Sequence, residues 1–426
     1  MLNYKSASEK DLQSEYTKLK DEYDAFCSKN LSLDMSRGKP CKEQLDISND
    51  IFDVLKSDSN FLSEDGFDCR NYGLLEGLPE MKRIFAQMLQ APEENIMVGG
   101  NSSLNMMFDT ISCFMTKGIN GCKPWLLQNK IKFLCPVPGY DRHFAITEYF
   151  GFEMINIPML KDGPDMDMIE MLVSSDDAIK GIWCVPKYSN PQGIVYSDSV
   201  VKRFASLKPK AKDFRIMWDN AYCVHDFCEK PQKLLSLYDE CLKNGNEDLP
   251  IMFCSTSKIT FPGAGVAAMA ASDNNMKIIK DKYKYKTIGY DKINMLRHAR
   301  YFKDYNGIVE HAKLHAKVLK PRFDTVIDSL TKNLKETSVA EWVEPCGGYF
   351  VSVDVMPGCA KRTIELCKQA GVKLTCAGAT YPYHTDPNDS NIRIAPSYPP
   401  MQELKIAMEV FCISAKIAAI EKIMKQ

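Results

Sequence analysis

Phe253-Cys254-Ser255-Thr256-Ser257-Lys258-Ile259-Thr260-Phe261-Pro262-Gly263-Ala264-Gly265 is the stretch on which the reading of this chain turns. It runs from an apolar segment through small hydroxyl residues to a lysine, and then into glycines. The apolar start at 251–254 reads as a buried strand, and 266–271 reads as the next one. Outward from this pair, further strand patterns fall at 94–98, 131–135, 181–185 and 214–218. Helical patterns at 78–90, 102–116, 141–150, 165–173, 198–206 and 274–284 alternate with them. Such alternation predicts an α/β fold with an open sheet. Ligands in open α/β sheets sit beyond the carboxyl ends of the strands, which is where Lys258 stands.

The flanks differ from the middle. Leu12, Tyr16, Leu19, Tyr23 and Phe26 recur at helical spacing over 8–28, and Ser36-Arg37-Gly38-Lys39-Pro40 then forms a turn. A long helical pattern over 307–334 leads into a C-terminal α+β unit in which Gly347–Val353 reads as a strand. The expected division is an N-terminal segment 1–55 that joins the small domain, a large domain 56–310, and a small domain 311–426. No repeat or low-complexity linker separates them.

Composition narrows the function. The 426 residues carry 54 Lys and Arg against 55 Asp and Glu, a formal net charge of -1. No excess of either sign speaks for nucleic acid or an anionic membrane surface. The charged start MLNYKSASEKDLQSEY lacks the apolar core of a secretory signal. No apolar stretch approaches the roughly 20 residues that span a bilayer. A cytoplasmic protein is expected. The 16 cysteines are scattered without a CxxC pair or a Cys/His cluster of zinc spacing. They are expected to be buried free thiols, with no metal bound.

Several other strand ends carry chemistry. A lysine in its neutral form attacks an aldehyde, and the resulting imine can be exchanged for another amine; a solvated loop lysine would show the same local pattern. Ile216-Met217-Trp218-Asp219-Asn220-Ala221-Tyr222 ends a strand with a carboxylate, followed three residues later by a phenol. Such a carboxylate can keep a pyridine ring protonated as an electron sink, or it can simply cap a helix. Asn190, extended before Pro191, can donate its amide to a ring oxygen or belong to an ordinary Asn-Pro turn. Gly99-Gly100-Asn101-Ser102-Ser103 runs from a strand into a helix, an anion-binding arrangement. Ser255 and Ser257 are further hydroxyl donors. Tyr140 offers a ring for stacking, and His143 can orient Asp219. Arg393, within Asn391-Ile392-Arg393-Ile394-Ala395, is a half-buried guanidinium that fits either a substrate carboxylate or a structural ion pair.

Taken together, these motifs resemble fold type I pyridoxal-phosphate enzymes of the aspartate aminotransferase superfamily, and within it the subclass Ic aspartate aminotransferases. The resemblance spans nearly the whole chain. Further segments that carry it are Asn71-Tyr72-Gly73-Leu74-Leu75-Glu76-Gly77, Pro138-Gly139-Tyr140-Asp141-Arg142-His143, Asn190-Pro191-Gln192-Gly193 and Leu374-Thr375-Cys376-Ala377-Gly378-Ala379-Thr380-Tyr381-Pro382-Tyr383. It implies a PLP-dependent transferase-like fold: a large domain with a mostly parallel seven-stranded sheet between helices, plus a smaller α+β domain. The cofactor it implies is pyridoxal 5'-phosphate, joined to Lys258 as an imine, with Lys258 also moving the α-proton.

By the same resemblance Asp219 pairs with the ring nitrogen and His143 backs it. Tyr222 and Asn190 bind the ring oxygen, and Tyr140 stacks on the ring. Gly100, Asn101, Ser102, Ser255 and Ser257 hold the phosphate. Arg393 and the Gly38 N–H take the substrate's α-carboxylate. Tyr72 crosses a homodimer interface to the partner's phosphate. One position departs from the best-known relatives: where they carry a phosphate-binding Arg, this chain has Val266. Arg37 and Arg297 are candidates for reading the substrate side chain, Arg37 being favoured as the neighbour of Gly38. The implied reaction is aspartate plus 2-oxoglutarate to oxaloacetate plus glutamate. Alanine, aromatic or 2-aminoadipate donors and a C–S or β-lyase reaction are the alternatives, since one scaffold supports several chemistries. A cofactor-sensing regulator would need an N-terminal DNA-binding domain, and only about 50 residues precede the first large-domain motif, without a basic recognition helix.

Overall fold

Side chains along a strand point alternately to opposite faces. Ile251 and Phe253 enter one core, while Met252 and Cys254 enter the other; Met217 separates from Ile216 and Trp218 in the same way. Both faces of the central sheet are therefore buried, which explains strands that read as continuous apolar runs. The helix Pro79–Leu89 covers one face with Met81, Ile84 and Phe85. The helix Ser103–Thr116 covers the other with Met106, Met107, Ile111 and Phe114.

The structure, a computed structural model, describes residues 2–425. Its strands among these residues are β1 (Leu33–Asp34), β2 (Ile96–Val98), β3 (Lys132–Val137), β4 (Glu153–Leu160), β5 (Gly163–Pro164), β6 (Ile179–Cys184), β7 (Arg215–Asp219), β8 (Pro250–Ser255), β9 (Ala267–Ala271), β10 (Ala340–Trp342), β11 (Val351–Val355), β12 (Val372–Lys373) and β13 (Asn391–Ile394). The central sheet has the order β2-β9-β8-β7-β6-β3-β4-β5. The run from β8 to β4 is parallel, whereas β9 is antiparallel to both its neighbours and β5 is antiparallel to β4. Eight strands replace the expected seven because β5, a two-residue Gly-Pro segment, adds an edge. β4 was not expected either: it contains Pro158, and proline argues against an interior strand.

The C-terminal unit is built on the antiparallel sheet β10-β11-β13. β1 pairs in parallel with β12, which brings Asp34 opposite Lys373. The helix Glu9–Cys27 packs on the helix Met401–Ile423, and the Tyr23 hydroxyl donates to the Leu366 carbonyl at 2.8 Å. These contacts carry residues 36–40 to the mouth of the central sheet. β11 begins at Val351, not at Gly347 as expected, because Gly348 adopts a φ of +86°. That left-handed residue makes 347–350 a turn and delivers Tyr349 and Phe350 to the site.

Cysteine also departs from expectation. Fourteen are free, but Cys228 forms a disulfide with Cys346. The two lie 118 residues apart in sequence, so no local spacing signals the pair. They meet because the Phe227 N–H donates to the Cys346 carbonyl beside a bridge between Asp226 and Gly347. Among the described residues no helix is long and apolar enough to cross a membrane.

One aromatic cluster links the core to the site. Phe133 lies within 6.4 Å (ring centroids) of Trp125, Phe152 and Trp183, and Trp183 stacks on His143 at 4.5 Å. Phe133→Ala is expected to cost about 3–5 kcal/mol of stability. Urea unfolding followed by circular dichroism measures it; a loss under ~1 kcal/mol would contradict this packing.

Candidate active site

Strands β3, β6, β7 and β8 are parallel, so their carboxyl ends open on one edge of the sheet. β2 runs in the same direction as β8, being separated from it by one antiparallel strand. Each of these five ends contributes to one cleft. β2 leads to Gly100, Asn101 and Ser102, β3 to Tyr140 and His143, and β6 to Asn190. β7 ends on Asp219 and leads to Tyr222, and β8 ends on Ser255, before Ser257 and Lys258.

The inner part of the cleft is lined by Gly38, Asn101, Ser102, Tyr140, Asn190, Asp219, Tyr222, Ser255, Ser257 and Lys258. Asp219 is almost fully buried, and its Oδ2 lies 3.0 Å from His143 Nε2. Its Oδ1 is buried with no hydrogen-bond partner among the described residues. A buried carboxylate oxygen left unpaired is costly, so this atom points to a missing donor. Lys258 Nζ lies 4.7 Å from the centre of the Tyr222 ring. Burial lowers the Lys258 pKa, opposed by the charge of Asp219, while burial pushes the Tyr222 phenol well above its ordinary value. An amine shifted this way yields a larger neutral fraction for nucleophilic and proton-accepting work.

An anion cradle occupies one end. The helix Ser103–Thr116 starts after Ser102, whose side chain makes no cap bond, so its first N–H groups remain available. The Ser257 hydroxyl donates to the Asn101 carbonyl at 2.6 Å, and Asn101 Nδ2 reaches the Pro262 and Gly263 carbonyls. These bonds tie the two loops of the cradle together. A Cβ on Gly265 would stand 2.5 Å from Ser257 Oγ, so the close approach requires glycine there. Val266 is buried; its carbonyl accepts from the Thr256 N–H and its own N–H donates to the Thr256 hydroxyl. It leaves Lys39, besides Lys258, as the cation lining this inner part.

The outer part adds Arg37, Asp141, Arg142, Phe350, Lys373 and Arg393. Arg393 Nη1 lies 2.8 Å from Asp141 Oδ1 and 3.3 Å from Asn190 Oδ1, over the Phe350 ring. The structural ion pair that the sequence left open is therefore present, while Arg393 Nε is buried and has no partner among the described residues. Gly38 also lies against Phe350: a Cβ there would stand 2.5 Å from the ring. Arg37 and Arg142 are exposed, and their side chains make no hydrogen bond or ion pair among the described residues. Arg297 does not line the cleft; it lies over Phe52 and donates to Asn294 Oδ1. Tyr72 is 80% exposed and also lies outside the cleft of its own chain.

Comparison with known proteins decides the family. The model for aspartate amino-transferase matches residues 7–426. The chain belongs to the aspartate amino-transferase family. An aspartate aminotransferase of Corynebacterium glutamicum is 44% identical over 95% of this chain and 93% of its own length. The crystal structure of an aspartate transaminase from the same species has a TM-score of 0.96 at 42% identity, covering 99% of both chains. The multiple substrate aminotransferase of Thermococcus profundus shares the fold alone, with a TM-score of 0.75 at 19% identity over 94% of this chain and 95% of its own.

Membership of this family implies pyridoxal phosphate, and the cleft fits it. Asp219 Oδ1 offers an unpaired acceptor for a ring N–H. The start of the helix Ser103–Thr116 offers donors for a phosphate. Sequence reading missed Asp141, Arg142, Phe350 and Lys373. Asp141 and Arg142 sit inside a quoted motif, and their charge flanking Tyr140 was a usable signal. Phe350 and Lys373 come from segments with no local relation to Lys258.

Proposed function

We propose that this aminotransferase binds pyridoxal phosphate through Lys258 and transfers amino groups from aspartate to 2-oxoglutarate. The observation that carries the reading is the buried, unpartnered Asp219 Oδ1 in the same cleft as a lysine of lowered pKa. When bound, the cofactor supplies an aldehyde that takes up amino groups and a ring that withdraws electrons from the substrate's α-carbon.

The protein's own residues do the rest. Asp219, braced by His143, keeps the ring nitrogen protonated. Tyr222 and Asn190 donate to the ring oxygen, and Tyr140 stacks on the ring. Gly100, Asn101, Ser102, Ser255 and Ser257 surround the phosphate, chiefly through backbone N–H groups because the hydroxyl of Ser257 and the amide of Asn101 already serve the loops. Arg393 binds the α-carboxylate with the Gly38 N–H, and Asp141 and Phe350 hold the guanidinium in place. Lys258 Nζ accepts the proton that leaves the α-carbon. In this reading the protein works as a homodimer in which Tyr72 reaches the phosphate of the partner's site.

The side-chain carboxylate of aspartate meets Arg37, with Arg142 beside it. Arg37→Ala is expected to lower kcat/KM for aspartate by about 10-fold or more, the value of a charge-assisted hydrogen bond, with kcat/KM for alanine within two-fold of the original. Equal losses for both substrates would remove Arg37 from this role. The proposed reaction itself is tested by adding a panel of amino acids to the cofactor-loaded protein in single turnover. Conversion of the cofactor to its amine form, fastest with aspartate, is the expected result. Pyruvate release without that conversion would instead establish a lyase.

A further inference from the structure

The loop that bears Lys258 is gripped from behind by side chains distant in sequence. The Tyr349 hydroxyl donates to the Lys258 carbonyl at 2.9 Å, and it accepts from Gln44 Nε2 at 2.9 Å. Gln44 Nε2 also lies 3.3 Å from His315 Nδ1, and His315 Nε2 lies 3.3 Å from His311 Nε2. His311 Nε2 is 2.8 Å from the Ile259 carbonyl, to which the Ser48 hydroxyl also donates at 3.1 Å. Two consecutive carbonyls, those of Lys258 and Ile259, are thus each held by side chains of this cluster.

Gln44, Ser48, His311, His315 and Tyr349 are all buried. Apolar residues of equal volume would fill this space without desolvating any polar group. Burial holds both histidines below their ordinary pKa, His315 at about 3, so they are neutral and supply one donor and one acceptor each. A His311 that donates its Nε2–H to the Ile259 carbonyl has no Nε2 lone pair left for His315, so the side chains form two separate grips on the loop, Gln44 with Tyr349 on the Lys258 carbonyl and His311 with Ser48 on the Ile259 carbonyl. Tyr349 also stacks on Tyr222 at 6.2 Å, the ring over which Lys258 Nζ sits. It meets the lysine's main chain directly and its side chain through Tyr222.

We propose that Tyr349 is a positioning residue for Lys258: its hydroxyl, held by Gln44, fixes the main chain from which the reactive amine projects. The proposal rests on the assignment of Lys258 as the reactive lysine, and it concerns a residue that lines neither compartment of the cleft.

Tyr349→Phe keeps the ring and removes only the hydroxyl. In the cofactor-free protein, hydrogen exchange across residues 256–264 is expected to quicken about five-fold, the worth of one neutral hydrogen bond, with exchange in the central strands unchanged. In the loaded enzyme, kcat for aspartate is expected to fall about five-fold or more, with KM within two-fold. Both changes together support the proposal; exchange or kcat at the original value overturns it. Gln44→Met, which removes the donor to Tyr349, is expected to shift both readouts in the same direction. If Tyr349→Phe does not fold, Gln44→Met decides by the same criteria. Failure of the functional assignment is distinguishable, because the original protein would then form no cofactor adduct at Lys258 while the exchange measurement still reads the Tyr349 contact.

Discussion

Lys258→Ala is expected to abolish turnover, lowering it by at least ~10⁴-fold, since both the nucleophile and the proton acceptor disappear with one amine. No other lysine lines the inner cleft except Lys39, which is exposed and lies over the Tyr398 ring. The near-visible absorbance of a lysine-bound cofactor should vanish as well. Stability should not suffer. Burial lowers the Lys258 pKa, so below its ordinary value the fold disfavours the charged amine that the unfolded chain prefers. The cofactor-free variant is therefore expected to melt at the same temperature or higher. A coupled turnover assay and an absorbance scan check the first two outcomes. Full activity in this variant would end the functional reading.

Asp219→Asn tests the other half of the site at the cost of one atom exchanged. The carboxylate is buried, with Oδ2 on His143 and Oδ1 without a hydrogen-bond partner among the described residues. An amide of equal size cannot hold a cationic ring nitrogen. Removing one charge of a buried pair costs about 3–5 kcal/mol, so kcat should fall by roughly two to four orders of magnitude. KM for aspartate should change little, because Arg393, the charged half of the carboxylate clamp, lies in the outer compartment. A kcat within a few-fold of the original would show that Asp219 does not face the ring. Steady-state kinetics at saturating cofactor separates these outcomes, and the cofactor's dissociation constant gives an independent readout.

How much of this was legible depended on range. The parallel core strands announced themselves as apolar runs because both faces are buried. Lys258, Asp219, Tyr222, Asn190 and Tyr140 were legible because each stands just past such a run. β4 escaped because Pro158 disguises it, and 347–350 looked like strand because it leads into the β-rich Tyr349–Val353, although the left-handed Gly348 keeps it out of the strand. The Cys228–Cys346 pair and the Asp141–Arg393 contact depend on where distant segments land, which no local pattern encodes. The side-chain cluster behind the Lys258 loop had one local trace: His311 and His315 are four residues apart and so share a helix face. Their partner Gln44 left none.

The division of the cleft also orders events in time. The inner compartment draws mainly on residues 100–258, while the outer one waits for Phe350, Lys373 and Arg393. A ribosome adds roughly 5–20 residues per second. The growing chain thus carries its Asp219 and Lys258 for roughly seven to twenty-seven seconds before its substrate clamp has been synthesised. Through that interval the nascent protein holds most of the groups that would retain a cofactor and lacks the arginine that would admit an amino acid.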